Sequence, residues 1–164
     1  MRAEARALAL VAAGGAAGAG LRALLSAWWP ASADSLPTTT LLVNLSGAFL
    51  LGLLHGWLDG RLGERPAAPG PTQGEPGSAQ DSAPLPQPVA VPSGSTLRLL
   101  LGTGLLGGFT THSTFSLEAL RLLEQAPALG GTYLLGSFTG GLLLAAVGLW
   151  AGASLVAAVR QGVA

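Results

Sequence analysis

The chain has 164 residues, 49% of them apolar and only 10% charged, with a formal net charge of zero. Soluble domains carry about 25% charged residues, so this composition excludes an ordinary water-soluble domain, and the neutral balance offers no basic surface for nucleic acid. Cysteine is absent, which excludes disulfides, thiolate metal sites and a cysteine nucleophile.

Four apolar segments each reach the roughly 20 residues that cross a hydrocarbon core. The first runs from about Ala7 to Trp29. It is too long for a signal h-region and contains Arg22, so it is read as a retained span. An arginine inside a span is costly. Arg22 lies six residues before Trp28, so it either snorkels to the interface or forms an electropositive vestibule that concentrates anions.

The second segment runs from about Thr38 to Leu58 and contains Asn44. Its amide can serve as glue between helices together with Ser46. Positions 44, 48, 51 and 55 share one helical face, and Gly47 and Gly52 let a neighbouring backbone approach. His55, beside Trp57, reads as an interface residue. Residues 60–96 follow, rich in Pro, Gly, Ser and Gln. Such a stretch buries too little apolar surface to offset its ordering entropy and is expected to be a disordered loop.

The third segment, about Leu97 to Leu123, is interrupted by GGFTTHSTFS, residues 107–116. Two adjacent glycines cost about 2 kcal/mol relative to alanine in a helix. Five hydroxyl residues and His112 crowd the same place. Irregular backbone at membrane depth survives only when it is buried in protein or lines a cavity, and freed carbonyls there can hold a cation. A broken helix at a functional centre is therefore expected. The fourth segment, about Leu129 to Val159, carries Tyr133 and Ser137 four residues apart on one face. These hydroxyls suit either helix–helix hydrogen bonding or an anion shedding its water.

Four spans place both termini and the long loop on one side. That side carries Arg2, Arg6, Arg61, Arg65, Arg98 and Arg160, against Arg22 and Arg121 opposite. The bias favours cytoplasmic termini.

Taken together, these motifs resemble one known family. GGFTTHSTFSLE is similar to the GxxTTFSTFSxE signature of the CrcB family, the Fluc-type fluoride channels. TLLVNLSGAFLLG resembles its second span, GGAAGAGLRALLS its glycine-rich first span, and TYLLGS the Tyr-and-Ser stretch of its fourth. The resemblance covers all four segments in order. It implies an all-α membrane protein of four spans, the third broken at its centre, assembled as an antiparallel dual-topology dimer in the plasma (inner) membrane. It implies a structural sodium ion at the dimer centre, held by the carbonyls of Gly107 and Thr110. It implies a fluoride path lined by Asn44, His112, Phe115, Tyr133 and Ser137. The partially positive edge of an aromatic ring suits an anion. His112 departs from the pattern, which has Phe there. It is an aromatic substitute, a source of pH-dependent conduction, or the mark of an impaired pore.

The expected function is passive fluoride export that protects the cytoplasm. The partners are fluoride, the bilayer, and a second copy or an oppositely oriented homologue; nucleic acid is not among them. No catalytic constellation is visible. The alternatives are a non-conducting or half-active subunit of a heterodimer, and a small coupled transporter. The latter usually needs a buried carboxylate, whereas Asp59 and Glu118 read as loop or span-end residues.

Overall fold

A computed structural model describes residues 2–30, 36–62 and 93–162, all of whose regular structure is helical. Helix α1 spans Arg2–Trp28 and α2 Thr38–Leu62. Next come the short α3, Ser93–Leu97, a π-helical segment, Arg98–Leu106, and one turn of helix, α4, Gly107–Phe109. Helix α5 spans His112–Gln125 and α6 Pro127–Gly162. Local chemistry sets several ends. Helix α1 stops just before Pro30, which disfavours helical geometry in the residue before it. Pro127 opens α6, where a missing N–H costs nothing.

Among the described residues, three helices are long and apolar enough to cross a membrane: Arg2–Trp28, Thr38–Arg61 and Pro127–Gly162. The third predicted span is not one helix but a run of four pieces from Ser93 to Gln125, interrupted at Thr110 and Thr111. Of the predicted loop 60–96, residues 63–92 lie outside the described residues. Its two ends are helical, continuing α2 to Leu62 and starting α3 at Ser93.

The helices pack as two parallel pairs, each closed by small residues. Gly52 and Gly56 of α2 lie against the backbone of Ala145 and Leu149 on α6, while Gly148 and Gly152 of α6 lie against Phe49 and Leu53. A methyl group at any of the four would collide with backbone atoms. Gly14 and Gly18 of α1 meet Gly104, Leu105 and Phe109 in the same way, and Gly108 rests on Gly15. Both pairs are therefore reciprocal small-xxx-small contacts, the packing that replaces hydrophobic drive between helices in lipid. The remaining apolar surface points outward: Trp28, Leu135, Leu142, Leu143 and Trp150 are all exposed, as a bilayer permits.

The ends follow from this packing. Arg98, Arg160 and the last turn of α2 meet at one end, where Arg98 pairs with Asp59 and Arg160 donates to the Gly60 carbonyl. At the other end the Thr39 hydroxyl donates to the Trp29 carbonyl, tying the start of α2 to the end of α1.

Candidate functional site

The break consists of two extended residues, Thr110 (φ −73°, ψ 156°) and Thr111 (φ −140°, ψ 120°). The glycine pair itself remains helical, so the break falls after Gly107–Gly108 rather than on it. Both threonine hydroxyls are bonded locally. The Thr110 N–H and hydroxyl both donate to the Leu106 carbonyl, at 3.0 Å each. Thr111 caps α5, its hydroxyl accepting from the Thr114 N–H at 3.3 Å and donating to the Thr114 hydroxyl at 3.0 Å.

Asn44 closes the break from α2. Its side-chain carbonyl accepts from the Thr111 N–H and its amide donates to the Thr111 carbonyl, both at 2.9 Å. The extended residue is paired as it would be in a sheet, by one side chain. Arg22 reaches the other side: its Nε donates to the Gly108 carbonyl at 3.3 Å. That carbonyl sits at the C-terminal, partially negative end of the upstream half-helix, where a cation is favoured. Arg22 is thus anchored to the break. Ser46 bonds only to Leu42 and Val43 of its own helix, so it is not the interhelical partner expected with Asn44. His55 likewise bonds within its helix, to Leu51.

A cavity of about 350 Å³ opens beside the break, lined by Asn44, Gly102, Gly107, Thr110, Thr111 and His112 among others. Among the described residues no carboxylate lines it, and no cluster of His, Cys, Asp and Glu could hold a metal ion. The residues that line it offer neutral carbonyl, hydroxyl and amide groups and one imidazole.

A second polar cluster lies behind α5. Glu118 accepts from the Thr40 hydroxyl at 2.9 Å and from the Tyr133 hydroxyl at 3.0 Å, joining α2, α5 and α6. One turn earlier, Phe115 is buried. Its ring centroid lies 5.2 Å from Tyr133, 6.0 Å from His112, and 5.7 Å from Phe138 in an edge-on contact. Ser137 follows Tyr133 by one helical turn, and its hydroxyl is buried without a hydrogen-bond partner.

The expected residues therefore fall into two groups. Asn44, Gly107, Thr110 and His112 share the cavity, with Arg22 bonded to the break beside it. Phe115, Tyr133 and Ser137 lie along the face between α5 and α6, and the His112–Phe115 ring contact joins the groups. Thr40, Glu118 and Phe138 contact these residues but were not among the expected ones. Glu118, expected at a span end, bonds to Thr40 in the first turn of α2. A signal was present, since Thr40 lies one turn from Asn44 and Glu118 one turn from Thr114.

The family model described as "CrcB-like protein, Camphor Resistance (CrcB)" matches residues 9–149. The chain belongs to the CrcB family. It is 39% identical to a fluoride-specific ion channel FluC from Methylobacterium sp. (strain 4-46), over 69% of this chain and 68% of the relative. It is 39% identical to one from Anaeromyxobacter sp. (strain K), over 84% and 88%. A third, from Rhizobium meliloti (strain 1021), is 34% identical over 92% and 95%. CrcB proteins are ion channels, not enzymes.

Proposed function

We propose that this CrcB chain conducts fluoride passively out of the cytoplasm. It crosses the plasma membrane four times and works as an antiparallel dimer. The observation that supports this most is the clamp of Asn44 on Thr111, which fixes an extended break beside a polar cavity in an otherwise apolar helix. Fluoride leaves water only where donors replace its hydration. The Ser137 hydroxyl, the His112 ring and the Phe115 ring edge supply such groups, while the Tyr133 ring, its hydroxyl held by Glu118, packs against Phe115. The unpartnered Ser137 hydroxyl is the group best placed to donate to a passing anion.

The cavity fits a structural sodium ion by its donor chemistry, with the Gly107 and Thr110 carbonyls as ligands. A two-fold-related copy would double that set. The ion would neutralise carbonyl dipoles where two half-helices meet, and it is not the transported species.

Two observations keep other readings in view. The arginines gathered at one end favour a single orientation, and hence pairing with an oppositely oriented homologue in which one pore can be inactive. Glu118 is a part-buried carboxylate held by two helices, a group that a coupled transporter would use. Fluoride efflux from liposomes holding the purified chain decides among them. Rapid release, selective over chloride and needing no proton or sodium gradient, is the expected result. Release that requires a gradient would establish coupling. Release only after an opposite-topology homologue is added would establish the heterodimer.

A further inference from the structure

Within each helix pair, glycine brings the backbones together. Between the pairs, the contact opens into a groove of about 380 Å³. Leu50, Leu53 and Trp57 line it from α2, Leu101 and Leu105 from the π-helical segment, and Leu155 from α6. Branched leucines face each other here where the other seams have glycine, so the helices stay apart. Leu50 and Leu155 are 42% and 56% exposed, so the groove is open to its surroundings along one side.

The groove has a direction. Leu50, Leu53, Trp57 and Arg61 recur at three- to four-residue spacing and form one stripe of α2. Eleven residues at 1.5 Å each span about 16 Å, close to half of a roughly 30 Å hydrocarbon core. The stripe is thus one leaflet deep. At its outer end the chemistry changes. The Arg61 guanidinium stacks over the Trp57 ring, 4.3 Å from its centroid, and a tryptophan at that level marks the headgroup region. Arg98 and Arg160 meet the same last turn of α2, through Asp59 and the Gly60 carbonyl. Arg61 adds a third guanidinium at this end, beside the mouth of the groove. Planar guanidinium groups are suited to phosphate oxygens.

We propose that this groove binds an anionic phospholipid, with an acyl chain along the leucines and its phosphate at Arg61. A leaflet-deep apolar slot with a cationic mouth matches the length and the charge of that molecule together, and basic pockets between membrane helices are recognised lipid sites. Leu106 borders both this groove and the cavity at the break, but lipid binding here does not depend on whether the chain conducts fluoride.

The test is thermal unfolding of the purified chain in detergent, titrated with phosphatidylglycerol or with phosphatidylcholine of matched chains. Native mass spectrometry counts the retained lipid. Phosphatidylglycerol is expected to raise the midpoint and to bind about tenfold more tightly than phosphatidylcholine. R61Q removes that preference, each shift being read against the variant's own lipid-free midpoint because the substitution also removes the stack on Trp57. L50W, which fills the groove from its exposed edge, lowers retention of both lipids. Equal response to the two lipids, or a preference that survives R61Q, overturns the proposal. The chain has no cysteine, so L101C gives a single thiol. A disulfide between two L101C copies would show that a second copy occupies the groove and would also overturn it.

Discussion

Asn44 gives both halves of its amide to the backbone of one residue, Thr111. An extended residue between two helices has no ladder to satisfy it, and an unpaired buried backbone group costs about 1–3 kcal/mol. N44A removes two bonds at once and is expected to cost roughly 2 to 4 kcal/mol where those groups stay dry. N44D keeps the acceptor for the Thr111 N–H but sets a carboxylate oxygen against the Thr111 carbonyl. It should lower the thermal midpoint at least as far as N44A; an N44D protein as stable as the native one would show that the clamp contributes little. His112 is exposed at the cavity rim and makes a ring contact with Phe115. H112F keeps that ring contact and removes the imidazole N–H, so fluoride efflux from H112F should be slower if the N–H serves the anion. Equal rates would leave His112 as a plain aromatic substitute. The importance of Asn44 was legible from its chemistry, a lone amide in an apolar run. Its partner was not, because helical periodicity tells which face a residue occupies and not what crosses from the next helix. The partners of Glu118 were hidden for the same reason, because the hydroxyls of Thr40 and Tyr133, both distant in sequence, are brought to it only by the fold.

Glycine explains more of the packing than any large side chain. Four glycines close α2 on α6, and a methyl at Gly52 or Gly148 meets the opposite backbone. Overpacking of this kind costs about 1–3 kcal/mol, so G52A and G148A should each lower the thermal midpoint and weaken assembly. Gly141 provides the control, because a methyl there meets nothing within 4 Å. G141A should be neutral or stabilising by up to about 1 kcal/mol, the helix-propensity gain of alanine over glycine. Equal destabilisation by G52A and G141A would remove close packing as the cause. At this scale the three long helices were legible from length and apolarity alone, and small residues announced close packing. The position of the break was less so. The pair Gly107–Gly108 suggested it, yet Gly108 is held in helix by its contact with Gly15. The extended residues are the two threonines after it, which can bond their own freed groups. Nothing in the sequence marked the π-helical turn ahead of it.

The arrangement of the whole chain turns on where its arginines lie. The α1 and broken segments run parallel, and so do α2 and α6, as the glycine contacts require. Arg2 and Arg6 therefore lie at the same end as Arg61, Arg98 and Arg160, while Arg22 and Arg121 lie in the opposite half. Positive charge near span ends favours the cytoplasm, so one chain should insert one way, termini inside. The number of charges makes the prediction sharp, because the bias does not depend on any single arginine. A reporter active only in the cytoplasm, fused to the C-terminus, should be active, and one active only across the membrane should be silent. Activity of both would mean that the chain inserts in both directions and can form an antiparallel pair with itself. Activity of the first alone would mean that an antiparallel dimer needs a second kind of chain. Moving charge then tests the cause. Neutralising Arg2 and Arg6 together with adding two arginines beside Arg121 leaves the helix-pair glycines and the break untouched. It should shift reporter activity toward the opposite orientation if charge alone sets the direction. If it does not, the packing of the two helix pairs, established during insertion, decides which way the chain faces.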